Sequence, residues 1–233
     1  MSSFSPPVAL VTGASRGIGR AAALALAQRG FHVVATARTV GALEELDDTI
    51  RAATGREATL LPLDLVKEAE QLDMLGPTLL ERFGRLDALV HAAGLLAKLT
   101  PVAHVVPKDW TESLAVNATA AWRLIRTCDP LLRAAPAGRA LFLDDAAAVE
   151  PRAYWGLYAA AKAAQRQLAL CWAAEVATTP LAVGLFDPGP TATILRQVAF
   201  PGENQARIRQ PEDAGAAIAA AIADGFANGA TLR

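Results

Sequence analysis

The sequence predicts an α/β fold in which helices cover both faces of a doubly wound parallel sheet. Three observations carry this. Short, near-continuously apolar segments alternate with longer Ala-rich or amphipathic ones, as strands buried on both faces alternate with crossover helices. A glycine-rich loop falls at the first strand-to-helix turn. The chain has 233 residues, 53% of them hydrophobic, enough to bury roughly 70% of the unfolded surface without disulfides or a metal. No linker, repeat or low-complexity tract interrupts it, so residues 1–233 are read as one domain.

Val8–Thr12 is a buried strand, and the Ala-rich run 17–29 a helix that Gly30 ends. Residues 31–36 form the second strand, 40–53 a helix and 57–63 the third strand. A helix over 67–83 carries Gly76-Pro77, where a kink is expected. The fourth strand covers 86–91, and a long helix 108–132 leads to a fifth strand at 140–143. A helix over 156–177 precedes the sixth strand at 181–186. Pro211-Glu212-Asp213 opens the last helix, to Asp224, with its carboxylates in the first turn. Residues 229–233 leave room only for a short edge strand.

Composition excludes several classes. The net charge is −1, from 22 basic and 23 acidic residues, without the basic excess of a protein held to nucleic acid by its phosphates. Cys128 and Cys171 offer neither metal spacing nor a disulfide framework and read as reduced apolar fillers. Residues 1–7 lack the basic and apolar regions of a secretory signal. Apolar runs stop well short of the ~20 residues of a membrane span. These features predict a soluble, cytoplasmic protein with no metal, membrane or nucleic-acid partner.

The loop Thr12-Gly13-Ala14-Ser15-Arg16-Gly17-Ile18-Gly19 follows a strand and opens a helix. Gly13 allows a tight turn. Gly17 and Gly19 leave no side chain between the backbone and a pyrophosphate, which meets the free N–H groups and positive end of the helix. The second strand ends at Thr36-Ala37-Arg38. A site for NAD usually has a carboxylate there for the ribose 2′-hydroxyl. Ala37 takes its place, and the guanidiniums of Arg38 and Arg16 suit a 2′-phosphate, so NADP(H) is expected over NAD(H). His91 lies on an apolar strand and reads as a core histidine.

The spacing G-x-x-x-G-x-G, with Asp64-Leu65, Ala93-Gly94, Asn117, Tyr158 and Lys162 four apart, and Pro188-Gly189-Pro190-Thr191-Ala192-Thr193, resembles the short-chain dehydrogenase/reductase family over nearly the whole chain. The resemblance implies a Rossmann-like fold with Gly13, Ser15, Arg16, Gly17, Ile18 and Gly19 against the dinucleotide. Asp64 would hydrogen-bond the adenine, with Leu65 packed beside it. Thr191 and Thr193, after Pro188 and Gly189, would supply hydroxyls to the carboxamide or phosphates. His91-Ala92-Ala93-Gly94 replaces the family's Asn-Asn-Ala-Gly, so one amide contact is replaced or lost.

Tyr158 and Lys162 share a helical face. A nearby ammonium stabilises a phenolate, which suits Tyr158 to exchange a proton with a carbonyl or alcohol. The resemblance adds that Lys162 holds the nicotinamide ribose and that Asn117, by opening the long helix, anchors a water in a proton relay. The family's catalytic serine lies thirteen residues before the tyrosine. Here that position is Asp145, and no serine or threonine lies between Arg139 and Tyr158. An ionised carboxylate donates no hydrogen bond to an oxyanion and raises a neighbouring phenol's pKa. Either Asp145 is protonated beside Asp144 and donates, or it turns away and Tyr158 works with a water.

Residues 192–210 form the expected lid. Leu95, Leu96, Tyr154, Trp155, Phe186 and Phe200 predict an apolar pocket. Trp110 and Trp122 suit a helix-on-helix homodimer or homotetramer, a family expectation. Two functions remain open: hydride transfer between NADP(H) and a small or apolar carbonyl or alcohol, or an NADP(H)-binding protein without turnover. A methyltransferase on a similar sheet would need no Tyr-x-x-x-Lys pair.

Overall fold

The computed structural model describes residues 6–233. Most of the segment read for targeting, residues 1–5, lies outside the described residues. Seven parallel strands form one sheet in the order β3-β2-β1-β4-β5-β6-β7. They are β1 Val8–Thr12, β2 His32–Ala37, β3 Thr59–Pro62, β4 Ala88–His91, β5 Arg139–Leu143, β6 Ala182–Phe186 and β7 Thr231–Leu232. Leu10 pairs with Val34 on one side and Leu89 on the other. Because side chains alternate across a strand, Val8 and Leu10 enter one core with Leu89, Phe142 and Leu185. Ala9 and Val11 enter the other with Val90, Leu141 and Phe186. Deleting a fully buried leucine such as Leu10 or Leu89 would cost about 2–5 kcal/mol.

The helices are α1 Gly17–Gln28, α2 Val40–Thr54, α3 Leu75–Phe83, α4 Pro107–Leu114, α5 Ala120–Ala134, α6 Gly156–Glu175, α7 Ile194–Ala199 and α8 Pro211–Asp224. Between α4 and α5, residues Ala115–Thr119 form one π-helical stretch, so the expected long helix is opened at Asn117. The expected helix 67–83 divides differently from the prediction. A 3₁₀ segment, Ala69–Met74, precedes α3, and Gly76-Pro77 lies in the first turn of α3. Proline is tolerated there because the first N–H groups of a helix have no intrahelical partner. Gly76 instead serves packing: a Cβ on it would meet the Thr127 carbonyl at 2.1 Å, and its N–H donates to Thr127 Oγ1 at 2.8 Å. The third and fourth strands are shorter than expected, and α8 has the expected bounds with a Gln210/Asp213 capping box. Cys128 is buried, and burial pushes its thiol up to about 12. Cys171 is exposed, not a core filler.

The chain runs outward from β1 through β2 to β3, then returns to place β4 on the other side of β1. The crevice beyond the carboxyl ends of β1 and β4 is the switch point where ligands bind in such sheets. Among the described residues no helix is long and apolar enough to cross a membrane.

Candidate active site

The glycine loop connects β1 to α1 at this switch point. Gly13 has φ +67°, and a Cβ on it would meet Cα and N of Ala93 at 2.8 Å. The loop therefore lies directly against the end of β4, which accounts for the small Ala93-Gly94 pair. Gly17 has φ +54° and faces Thr193 Cγ2, 3.3 Å from where its Cβ would be. Gly19 differs from the prediction. Its missing Cβ would meet the Gly13 carbonyl oxygen at 2.3 Å, so it is glycine to let helix and strand approach, not to admit a phosphate. Ile18 likewise belongs to the core. The N-terminus of α1 has no side-chain cap and no acidic residue in its first turn. Its free N–H groups and positive end, beside half-buried Ser15 and exposed Arg16, fit an anionic pyrophosphate.

Arg38 follows β2 directly and is exposed. Asp64, after β3, uses Oδ1 to accept from Val66 N (2.9 Å) and Lys67 N (3.2 Å), capping its own turn. Burial works to raise this carboxyl, but those two N–H groups, Arg38 and Lys67 outweigh it and hold it below the usual range. Leu65 is buried in the core. Thr12 Oγ1 lies 2.8 Å from His91 Nδ1 and accepts from Ala93 N at 3.2 Å. Burial first, then the Lys162 charge, push His91 down to about 3, so it is a neutral core residue. Its Nε2 is buried without a partner.

Tyr158 and Lys162 stand one turn apart on α6, both buried. The Tyr158 phenol donates to Asp145 Oδ2 at 3.3 Å, longer than the roughly 2.5–3.0 Å of a tight O–H···O bond. Asp145 Oδ1 accepts from Ala147 N at 2.9 Å, fixing the carboxylate on a 3₁₀ turn after β5. The expected lowering of the phenol pKa is absent. Burial, then Asp145, then Asp144 push it well above the ordinary value. Lys162 Nζ donates to the Leu143 carbonyl and to Gln165 Oε1 rather than to the phenol. Burial draws Lys162 down to about 8 against the pull of Asp144 and Asp145. Gln165 Nε2 donates to the same Leu143 oxygen at 2.6 Å. Sequence reasoning missed Gln165, whose only signal is its place three residues after Lys162 on an Ala-rich helix. Asp144 is not a proton-sharing partner for Asp145, because it pairs with Arg166.

Asn117 is fully buried in the π-helical stretch. Its Oδ1 accepts from Leu95 N (2.9 Å), and its Nδ2 donates to Leu95 O (2.8 Å) and Ser113 Oγ (3.2 Å). It thereby staples the loop after β4 to the helix facing Tyr158.

After β6, Thr191 Oγ1 donates to the carbonyls of Pro188 and Gly189, and Thr193 Oγ1 accepts from Arg196 N to cap α7. The Thr191 hydroxyl is thus occupied by its own turn, whereas Thr193 keeps its proton to donate. The lid 192–210 contains α7 and a 3₁₀ turn, Gln205–Arg207. Beneath it lies a cavity of about 550 Å³ bordered by Asp144, Asp145, Arg152, Asp187, Pro188, Gly189, Arg196 and Phe200 among others. This corrects the apolar expectation, because charged groups line the cavity. The apolar residues pack among themselves instead. Trp155 and Tyr158 form a cluster with Leu96, Leu195 and Phe200, Phe186 is core, and Tyr154 is 60% exposed. The arrangement brings a phenol, a carboxylate and an ammonium together at the end of β5, on the side of the sheet where the glycine loop leaves β1.

Residues 7–204 match the profile of the short chain dehydrogenase family. The chain is 34% identical over 207 residues to the uncharacterized oxidoreductase YciK of Escherichia coli K12, covering 88% of this chain and 82% of that protein. A short chain dehydrogenase structure from Shigella flexneri 2a complexed with NADP superposes with TM-score 0.92 at 31% identity, covering 98% of this chain and 97% of that one. One from Escherichia coli CFT073 complexed with NADPH gives 0.92 at 32%, covering 98% and 96%. The chain therefore belongs to the short-chain dehydrogenase/reductase family of oxidoreductases.

Proposed function

We propose that this chain transfers hydride between NADP(H) and a small carbonyl or alcohol. The observation that carries the reading is the convergence of Tyr158, Lys162 and Asp145 at the end of β5, in the same crevice edge as the uncapped glycine loop. The structural relatives complexed with NADP and NADPH support the choice of cofactor. So do Arg38 directly after β2, Arg16 in the glycine loop, and the lack of a carboxylate at the end of β2.

In this reading the α1 N-terminus, Gly13 and Gly17 hold the pyrophosphate, and Arg16 and Arg38 the 2′-phosphate. Asp64, Ala93, Gly94, Pro188, Gly189, Thr191 and Thr193 frame the remainder. The dinucleotide supplies hydride when bound. Tyr158 exchanges a proton with the substrate oxygen, and Lys162 orients the nicotinamide ribose. Asn117 fixes the loop facing the phenol and anchors the proton path. Asp145 stands where the family has its serine. Exposed Trp110 and Trp122 on α4 and α5 suit a homo-oligomer.

A second reading is favoured by the Asp145–Tyr158 contact: a protein that binds NADP(H) and leaves carbonyls untouched. The test measures NADPH binding by fluorescence, then NADPH oxidation with ketones, aldehydes, diketones and quinones, for the native chain and Asp145→Ser. Turnover by the native chain supports the enzyme. Binding with silence, relieved by Asp145→Ser, establishes the second reading.

A further inference from the structure

The charges lining the cavity are distributed unevenly. Asp144 pairs with Arg166, Asp187 with Arg233 at 3.4 Å, and Arg196 with Glu203 at 2.6 Å. Among the described residues of the lining, two charges have no opposite charge within 4.0 Å, Asp145 and Arg152. Arg152 is exposed and lies over the Trp155 ring, 5.7 Å from its centroid. Asp145 Oδ1 is held by Ala147 N, and its Oδ2 accepts from the Tyr158 phenol. The reacting end of the cavity thus carries a fixed carboxylate without an ion-pair partner within 4.0 Å, the Lys162 ammonium acting on it from farther away, and no serine or threonine lies between Arg139 and Tyr158.

That carboxylate has opposite consequences for two kinds of substrate. Hydride addition to a ketone builds negative charge on oxygen, which an adjacent carboxylate repels and cannot hydrogen-bond. A protonated imine brings positive charge and an N–H, both of which a carboxylate receives favourably. We propose that the site reduces C=N bonds, taking the substrate as its iminium ion with the N–H donated to Asp145 Oδ2. This deepens the NADP(H)-dependent reading above and rests on it.

The step balances without a proton from the protein. The iminium carbon accepts hydride from the reduced nicotinamide, and the C=N π pair moves to nitrogen. The products are a neutral amine and the oxidised dinucleotide. Tyr158 remains protonated throughout, in keeping with a phenol that burial and Asp145 hold in that form. The amine then takes a proton from water and leaves as an ammonium ion.

The test uses 2-methyl-1-pyrroline and cyclopentanone as matched imine and ketone, with NADPH and the full chain. The expected native kcat/KM is at least about tenfold higher for the imine, the scale of one charge-assisted hydrogen bond. Asp145→Ser is expected to shift the imine-to-ketone ratio by at least about tenfold toward the ketone. Independently of turnover, calorimetry should show 2-methylpyrrolidinium binding weakened at least about tenfold in Asp145→Asn. Preference for the ketone by the native chain overturns the inference and leaves the NADP(H) reading intact. So does ammonium binding that ignores Asp145→Asn. Failure to bind NADPH overturns both.

Discussion

Asp145 Oδ2 accepts a hydrogen bond from the Tyr158 hydroxyl at 3.3 Å, thirteen residues away in sequence. The group proposed to exchange a proton with substrate therefore faces a negative charge, and the phenol is held protonated well above its ordinary range. Oxidation of an alcohol needs the phenolate, so its rate should climb through alkaline pH in the native chain. In Asp145→Ser the limb should move down by about one pH unit or more, a tenfold gain at fixed pH on that limb. The kcat/KM profile for alcohol oxidation measures this. Superimposable profiles would mean that the Asp145 charge does not act on Tyr158.

Gly19→Ala should destabilise the chain by about 3 kcal/mol, the upper end for forced overpacking. The added carbon would sit 2.3 Å from the Gly13 carbonyl oxygen, and backbone cannot step aside. Gly189→Ala, with φ +62° and open space around its Cβ, should cost only about 1–2 kcal/mol of left-handed strain. Urea unfolding of the two variants checks the order. Equal losses would place Gly19 outside the strand–helix contact assigned to it.

His91 is lowered from 6.5 to about 3. The unfolded chain therefore binds the extra proton first, and stability should fall as pH drops from about 6.5 toward 3. Above 6.5 the contribution is fully present. The loss is on the order of a few kcal/mol. Urea midpoints at pH 7 and pH 4.5 should converge in His91→Asn relative to the native chain. An unchanged pH dependence would show that another group carries the acid sensitivity.

Arg38→Ala should weaken NADPH binding by about 10–100-fold, as loss of a charge-assisted contact to phosphate implies. NADH, lacking the 2′-phosphate, should bind as before. Titration of both nucleotides against nucleotide-dependent fluorescence separates the cases. Equal weakening of both would assign Arg38 to the shared part of the dinucleotide or to the fold.

Much of this is legible in the sequence. Strand order along the chain follows from apolar runs that local sequence displays, and the glycine loop and Tyr158/Lys162 pair are spaced by one turn or one helix. The place of Asp145, thirteen residues before Tyr158, is likewise a matter of counting. What the sequence concealed depends on contacts between distant segments. The role of Gly19 is set by the Gly13 carbonyl oxygen. Lys162 turns to the Leu143 carbonyl because Gln165 and the end of β5 meet there. The cavity is charged because Asp187 and the lid's Arg196 face it from separate elements, whereas the aromatics near Tyr158 satisfy one another.

The central claim is that the Tyr158 site handles reducing equivalents from NADPH. It is tested most directly by stopped-flow NADPH oxidation with alcohol-forming substrates, native chain against Tyr158→Phe, with NADPH affinity measured in parallel. Loss of general-acid catalysis should slow carbonyl reduction by about 10²–10⁴-fold while NADPH binding is unchanged. Equal carbonyl reduction rates in the two proteins, at equal cofactor affinity, would contradict the account.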